Sequence, residues 1–224
     1  MYFSRITLQQ SKASKYLKMT HYNSLYDEHK LVWRFFEEDP AQQRDFLYRK
    51  NEANNLMQFY VLSNRRPVND QQAFIIETKE FQPIIKKGGQ FNFQLRANPV
   101  VTRKSEGKAS KKRRRDDIYL EALAKNKELP INEQMSTQEI LDTVGNDWLN
   151  SRSKSLGFKV NYNIIERYHR FQTQKNNRKI TFGVIDFNGT LSVEDPQLFQ
   201  LALFNGIGHA KAFGCGLLLI KRIS

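Results

Sequence analysis

The chain has 224 residues, 39% of them hydrophobic, which is enough for two small domains with cores of their own. Lysine and arginine number 36 against 23 acidic residues, and the net charge of +13 indicates a polyanionic partner. The single cysteine excludes an internal disulfide framework, no apolar run reaches the ~18 residues that cross a bilayer, and the N-terminus lacks a secretory pattern, so we expect a soluble cytoplasmic protein that binds nucleic acid.

The first part of the chain predicts a strand and, after a polar stretch, an amphipathic helix. Tyr2–Leu8 alternates apolar and polar residues, as a half-buried strand does. Ser24–Phe36 has a capping residue at Ser24, acids in its first turn and apolar residues at helical spacing. Tyr26 and His29 are three positions apart on this helix, so a phenol and an imidazole share one face beside the apolar stripe.

After this helix, period-two patterning predicts two strands, at Arg44–Arg49 and Asn55–Leu62. The next segment, Asp70–Ile85, fits either a helix or a strand. Lys86–Gly89 has the composition of a linker. A new strand at Phe91–Val101 then opens a second unit. We therefore expect one domain over residues 1–88 and another over residues 89–224.

Residues 103–115 form a strongly basic tract, with eight basic residues against one acid, Glu106. The tract contains no core-forming residues, so we expect a mobile loop that either binds nucleic acid non-specifically or only solubilises the protein. Beyond it, Ser136 and Glu139 have the spacing of a capping box, which predicts a helix that ends near Gly157.

A basic hairpin is predicted in the second unit. Lys159–Phe171 and Lys179–Asp186 are patterned as strands, and a polar connection joins them. Its tip carries Lys175, Arg178 and Lys179, which either contact a phosphate backbone or belong to an ordinary solvated turn.

The next elements complete a recognisable order. Asn188-Gly189 predicts a type I′ turn into a further strand, Thr190–Val193. Asp195-Pro196 then starts a helix that we expect to direct Leu198, Leu201 and Ala202 inward. Each half of the chain has the strand, helix, two strands, helix or remnant, and strand of the βαββαβ order, so we predict an α+β fold of two tandem ferredoxin-like (RRM-like) domains.

A glycine-rich loop precedes the last predicted strand, Leu217–Ile220. Its four glycines fall within eleven residues and permit positive φ angles and a close approach to another chain: Gly206, Gly208, Gly214 and Gly216. Lys211 lies in the middle of the loop, which can hold a phosphate with backbone N–H groups and this ammonium. The alternative is a glycine-rich turn into an edge strand, because the loop matches neither a P-loop nor a dinucleotide fingerprint.

Several stretches, in order along almost the whole chain, resemble the CasE family, the CRISPR-associated repeat-RNA endoribonucleases of type I-E systems. They are the opening Met-Tyr-Phe-Ser, the helix from Leu25 to Phe36, Arg44-Asp45-Phe46-Leu47-Tyr48, Phe93-Gln94-Leu95-Arg96-Ala97-Asn98-Pro99, and the tail Gly206-Ile207-Gly208 with Gly214-Cys215-Gly216-Leu217-Leu218. The resemblance implies tandem ferredoxin-like domains that bind the CRISPR repeat RNA hairpin, cut precursor crRNA at its base without metal, and stay bound as a subunit of the Cascade complex.

The resemblance also implies roles for individual residues. The catalytic Tyr-x-x-His pair of the family falls on Tyr26 and His29, and its RNA-binding basic hairpin falls near Lys175, Arg178 and Lys179. His209 is a departure, since a relative in the family has a proline at this position, and the long basic tract has no counterpart whose contacts transfer.

Alternatives remain open for the chemistry. His21, in a polar loop, His169, on a predicted strand, and His209, in the glycine-rich loop, are the other candidate histidines, with His209 next after His29. Four scattered histidines and one cysteine give no zinc spacing, and no acidic cluster suggests a two-metal nuclease, so we expect no metal and no small-molecule cofactor. The other functional classes are a non-catalytic RNA-binding subunit and a basic DNA-binding structural protein.

Overall fold

The computed structural model describes residues 1–20, 25–36, 42–51, 57–68, 73–104, 113–175 and 178–223. These residues form two four-stranded antiparallel sheets, helices that pack on them, and a separate two-stranded ribbon. The predicted cap at Ser24 and the candidate His21 lie outside the described residues.

The first sheet is built from strands near the N-terminus. Its elements are β1 (Tyr2–Leu8), α1 (Gln10–Thr20), α2 (Leu25–Trp33), β2 (Phe46–Asn51), β3 (Gln58–Ser63) and β4 (Phe74–Glu80). The strands lie in the order β2-β3-β1-β4. Helix α2 packs on this sheet because Leu31 and Val32, with Phe35 just after the helix, join one apolar core with the strands. The ambiguous segment after β3 therefore contributes a strand, β4.

The second sheet repeats this arrangement. Its elements are β5 (Gln90–Ala97), β6 (Val100–Lys104), β7 (Arg113–Asp117), α3 (Ile118–Lys127), α4 (Thr137–Ser153), β8 (Phe158–Lys175), β9 (Arg178–Val193), α5 (Pro196–Asn205) and β10 (Leu218–Arg222). The order β10-β5-β9-β8 is the same permutation as in the first sheet. The prediction of two tandem ferredoxin-like domains is confirmed, while the division at residue 88 stays a prediction.

The start of α4 follows the capping chemistry in the sequence. The Ser136 hydroxyl accepts a hydrogen bond from the Glu139 N–H at 3.2 Å, and the Ser136 N–H donates to the Glu139 carboxylate at 2.8 Å. The helix ends at Ser153, earlier than expected, and a 3₁₀ turn leads to Gly157, whose φ is 76°. Gly157 therefore ends the whole helical segment.

The predicted turn at Asn188-Gly189 is wrong. Strand β9 runs through both residues, and Gly189 pairs with Phe93 of β5 and Asn163 of β8. A Cβ at position 189 would collide with the carbonyl oxygen of Tyr162. Glycine is needed here because the backbone of β8 approaches closely at a register irregularity, not because the chain turns.

The predicted mobile loop over the basic tract is wrong at both ends of that tract. Val100–Lys104 pairs with Arg113–Asp117 as a two-stranded ribbon, and residues 105–112 lie outside the described part of the chain. Strand Phe91–Val101 was also expected to be continuous, but β5 ends at Ala97 and β6 begins after Pro99. Proline lacks the N–H that would continue the ladder, so the chain leaves the sheet at this point.

Two helices also differ from expectation. The polar stretch after β1, for which the sequence predicted no element, contains helix α1. Helix α5 begins as predicted, with the Asp195 carboxylate capping its first turn, but Leu198 and Leu201 are 41% and 55% exposed. The buried residues are Phe199, Ala202 and Leu203. The inward face of α5 is therefore rotated from the predicted one.

A buried ion cluster joins the two domains. Asp186 on β9 is 1% exposed and accepts two hydrogen bonds from Arg96 on β5, at 2.8 and 2.9 Å. Arg167 lies 3.3 Å from the same carboxylate, and Arg49 of the first domain lies 3.6 Å from it. Cys215, fully buried, shares this surrounding of charges, and its burial raises the pKa of the thiol to about 12.

Candidate functional site

His29 lies on α2 at the junction between the domains. Its imidazole is half-buried, and the Trp33 indole N–H, one turn later, donates a hydrogen bond to Nε2 at 3.1 Å. Because the indole is only a donor, Nε2 is the acceptor nitrogen of the imidazole in this arrangement. Trp33 therefore fixes the orientation of the ring that sequence analysis selected.

An aromatic residue connects His29 to the second domain. The ring of Tyr48 on β2 is stacked with the imidazole at 26°, with centroids 6.4 Å apart. The Tyr48 hydroxyl donates to the carbonyl oxygen of Ala212 in the glycine-rich loop at 3.0 Å. Burial raises the pKa of Tyr48 well above its usual value, so this phenol is neutral and remains a donor. Sequence analysis did not identify Tyr48 as a site residue.

Tyr26 lies one turn before His29 on α2, as the sequence predicted. Its ring is half-buried, and the Lys30 ammonium lies 4.4 Å from the ring centroid. Beside it, Glu28 is buried and forms an ion pair with Lys50 on β2 at 2.9 Å. These contacts attach the helix to the sheet and leave the assigned role of Tyr26 as a prediction.

The glycine-rich loop has the backbone that its composition predicts. Gly206, Gly208, Gly214 and Gly216 have φ values of 72°, 80°, 77° and 90°. Several of its amides bond within the protein, however: Ile207 N–H to Gly216 at 2.9 Å, and Gly216 N–H to Arg96 at 2.7 Å. These two amides are not available to an anion, whereas the side chain of Lys211 remains a candidate to bind one.

Gly216 and Gly206 are the loop positions at which a Cβ would meet backbone most closely, and we expect Gly216→Ala to destabilise the protein more than Gly88→Ala. Both substituted glycines have positive φ, which costs alanine roughly 1–2 kcal/mol at either position. Of these two, only at Gly216 would the new Cβ meet backbone, the Ile207 carbonyl oxygen at 2.9 Å, whereas it meets nothing within 4 Å at Gly88. Denaturant unfolding of both variants measures the difference, and equal losses would contradict the steric argument.

Several positively charged side chains lie near the glycine-rich loop. Burial lowers the pKa of Lys211, and the charge of Arg44 from the first domain lowers it further. Burial likewise lowers the pKa of His209, with contributions from Arg115, Arg152 and Lys211. The imidazole of His209 is therefore mainly neutral at pH 7, and the cations around it favour an anion at this surface.

Helix α2 lies directly against this loop. The described contacts of α2 include the 3₁₀ turn Lys211–Phe213 and strand β8. His29 from the first domain and Lys211 from the second are thus carried by neighbouring elements. The other described candidate, His169, lies on β8 with its ring beside Phe171, their centroids 5.9 Å apart.

The predicted basic hairpin is present and projects from the sheet. Strands β8 and β9 pair as far as Lys175 and Arg178, whereas pairing of β9 with β5 ends at Ile185. Phe182 on this projecting part contacts Phe213 of the glycine-rich loop, with centroids 5.1 Å apart. Lys179 is exposed, and the side chains of Lys175 and Arg178 lie outside the described part of the structure.

The described residues also give two general observations. No three histidine, cysteine, aspartate or glutamate side chains among them lie close enough together to hold a metal ion. No helix in the described part of the chain has the length and apolar character required to span a membrane.

Comparison with known proteins gives consistent matches over most or all of the chain. A family model described as CRISPR associated protein matches residues 1–222. The chain is 30% identical over 203 residues to the CRISPR system Cascade subunit CasE of Escherichia coli (strain K12), covering 87% of this chain and 90% of that protein. The solved structure of the CRISPR endoribonuclease Cse3 bound to 19 nt RNA has a TM-score of 0.70 at 20% identity, with 99% of this chain and 100% of that chain covered. The CRISPR-associated protein Cas6e from Escherichia coli str. K-12 has a TM-score of 0.60 at 22% identity, with both chains fully covered.

Proposed function

Because this chain belongs to the CasE family of CRISPR-associated proteins, we propose that it is a metal-independent endoribonuclease that processes precursor crRNA. It binds the stem-loop of the CRISPR repeat, cuts at the base of the hairpin, and stays bound to the product as a Cascade subunit. The relative named as a Cascade subunit and the fold shared with an RNA-bound endoribonuclease support this assignment.

The proposed reaction is a transesterification. The 2′-OH beside the cut attacks the neighbouring phosphorus, the 5′-oxygen leaves with a proton, and the product carries a 2′,3′-cyclic phosphate. His29 acts as general acid or base, a role that typically contributes ~100- to 10,000-fold, and Tyr26 orients the 2′-OH or the phosphate by hydrogen bonding. For Nε2 to exchange a proton with RNA, the Trp33 indole must first give up its hydrogen bond.

One observation carries the proposal: α2, which bears His29, lies against the turn that bears Lys211, and the buried Tyr48 contacts both. This arrangement brings a proton-transfer group and a cation from different domains to one surface. In the reaction, Lys211 neutralises the charge that develops on the scissile phosphate. The base of the protein's basic β8–β9 hairpin contacts the same glycine-rich loop through Phe182, which supports a continuous binding surface for RNA.

The experiment that tests the proposal is incubation with repeat hairpins from the same genome. We expect one cut at the base of the stem in excess EDTA, with a 2′,3′-cyclic phosphate on the upstream fragment. The measurement maps both product ends. A requirement for added magnesium, or a free 3′-hydroxyl on the upstream fragment, would contradict the mechanism.

The basic hairpin is proposed to hold the RNA stem. Replacing Lys175, Arg178 and Lys179 together by glutamate is expected to weaken repeat binding by at least ~10-fold and to flatten its salt dependence, because lysine and arginine contacts to phosphates release counterions. Titrations at several salt concentrations measure both. Glutamates at the exposed Lys86, Lys87 and Lys127 are the control with the same charge change. Equal effects of the two triple variants would remove the specific role of the hairpin.

A second function has one observation in its favour. The imidazole of His29 is packed among Trp33, Phe46 and Tyr48, an environment typical of a structural histidine. In a non-catalytic RNA-binding subunit, these residues only pack. Tight binding of the repeat hairpin with no cleavage would select this alternative, and equal affinity for duplex DNA would indicate a general nucleic-acid-binding protein instead.

A further inference from the structure

Arg44, two residues before β2, has a guanidinium with no counter-ion among the described residues. Its Nη1 is buried and has no hydrogen-bond partner. Desolvation lowers the pKa of Arg44, so burial disfavours its charge. A guanidinium is nevertheless too basic to lose its proton, and a buried charge left unpaired is costly to the folded state. Stability alone does not explain an arginine here.

A second cation, from the other domain, is near enough to Arg44 for the two charges to affect each other. Lys211 is half-buried in the glycine-rich loop, and Arg44 is the neighbouring charge that disfavours its protonation. Among the described residues, the Lys211 ammonium forms no ion pair. Two half-buried cations therefore repel each other across the domain junction, and a bound anion would relieve both the repulsion and the missing hydrogen bond.

The location of Arg44 and Lys211 near His29 indicates which anion they bind. Arg44 lies two residues before β2, whose Tyr48 stacks its ring on the His29 imidazole and donates its hydroxyl hydrogen bond to Ala212, next to Lys211. The pair therefore lies beside the histidine proposed to transfer the proton. An anion held there is within the same junction as the reacting groups.

We propose that Arg44 and Lys211 together form a binding site for one RNA phosphodiester, the scissile phosphate, with Arg44 as a phosphate-binding residue of the reaction. This inference rests on the proposed function for the identity of the phosphate. The guanidinium donates hydrogen bonds to the non-bridging oxygens, and both cations offset the charge that grows on these oxygens as the 2′-oxygen attacks. Because each domain supplies one cation, the site is complete only when the two domains are docked.

The test measures binding rather than cleavage. Repeat hairpins with a 2′-deoxy nucleotide before the cut remain intact, and a methylphosphonate at the scissile position removes the charge of one phosphate. Wild-type protein is expected to lose ~10- to 100-fold in affinity for the methylphosphonate RNA, the range for hydrogen bonds to charged groups. Arg44→Gln is expected to lose a similar factor with the natural phosphate and little more with the methylphosphonate.

Two further variants complete the design. Arg44→Lys retains the charge and is expected to recover part of the affinity for the natural phosphate but none for the methylphosphonate. Arg66→Gln removes an exposed arginine and is the control. Its effect on affinity is expected to be the same for the natural RNA and for the methylphosphonate RNA. Thermal unfolding of Arg44→Gln without RNA is expected at or above the wild-type temperature, because the variant removes a buried unpaired charge.

The outcomes separate the inference from the function on which it rests. If Arg44→Gln weakens binding of both RNAs equally, or unfolds well below the wild type, Arg44 is structural and the inference is wrong. If the wild type cuts repeat RNA, but Arg44→Gln loses as much affinity for the methylphosphonate RNA as for the natural RNA, only the inference fails. If Arg44→Gln loses much less affinity for the methylphosphonate RNA than for the natural RNA and the wild type does not cut, the phosphate site stands and the enzyme assignment fails.

Discussion

His29→Ala is expected to bind the repeat hairpin with wild-type affinity and to cut it at least ~100-fold more slowly, because it loses the group that transfers a proton at neutral pH. Single-turnover cleavage with enzyme in excess separates this loss from any change in binding. The alanine also removes the acceptor of the Trp33 indole, so thermal unfolding must show that the variant is folded.

The other histidines provide controls for this prediction. His169→Ala changes an imidazole on β8 whose described ring contact is with Phe171, and it is expected to cut at the wild-type rate. His209→Gln tests the alternative candidate in the glycine-rich loop. Cleavage by His29→Ala at the wild-type rate would remove the proposed chemistry, and a loss found only in His209→Gln would move it to that loop.

Asp186→Ala is expected to produce the largest loss of stability, about 3–5 kcal/mol, because it leaves the buried Arg96 and the half-buried Arg49 without their counter-charge. The carboxylate is 1% exposed and serves Arg96, Arg49 and Arg167 from three different strands. For a chain of this length, the melting temperature should fall by on the order of 10 °C. Replacement of the exposed Asp147 on α4 is the matched control, and equal small losses would contradict the role of the cluster.

The same carboxylate predicts how stability depends on pH. Desolvation opposes its ionisation, but Arg96, Arg49 and Arg167 outweigh this effect and hold the pKa of Asp186 below its ordinary value. Its contribution is therefore complete above about pH 5 and is lost as the pH falls through the folded-state pKa, below ~3.9. Denaturant unfolding of wild type and Asp186→Asn should show a difference that shrinks with acidification. A difference that stays constant from pH 7 to the acid limb would contradict this linkage.

Patterns that depend on neighbours along the chain predicted much of this fold. The capping box at Ser136 and the glycines of the loop around Lys211 specify backbone conformation locally, and the structure has that conformation. Asn188-Gly189 shows the limit of such reasoning. Its turn preference is overridden because pairing with β5 on one side and β8 on the other keeps β9 extended.

The junction between the domains was not predictable in the same way. Arg96 and Asp186 are 90 positions apart, and in the sequence both resemble ordinary solvated charges. Arg44 and Lys211 become neighbours only through the packing of two domains. The contact of Trp33 with His29 was also not predicted, although Trp33 follows His29 by four positions on a predicted helix, a spacing at which side chains are neighbours.

The buried Cys215 can be used to measure transient opening of the interface between the domains. It is the sole thiol of the chain, and burial disfavours its reactive thiolate form. An alkylating reagent should therefore modify it only when the interface opens and admits solvent. The rate of alkylation then measures how often the two domains separate. An RNA that contacts both domains should lower this rate, and an RNA that binds more tightly should lower it further.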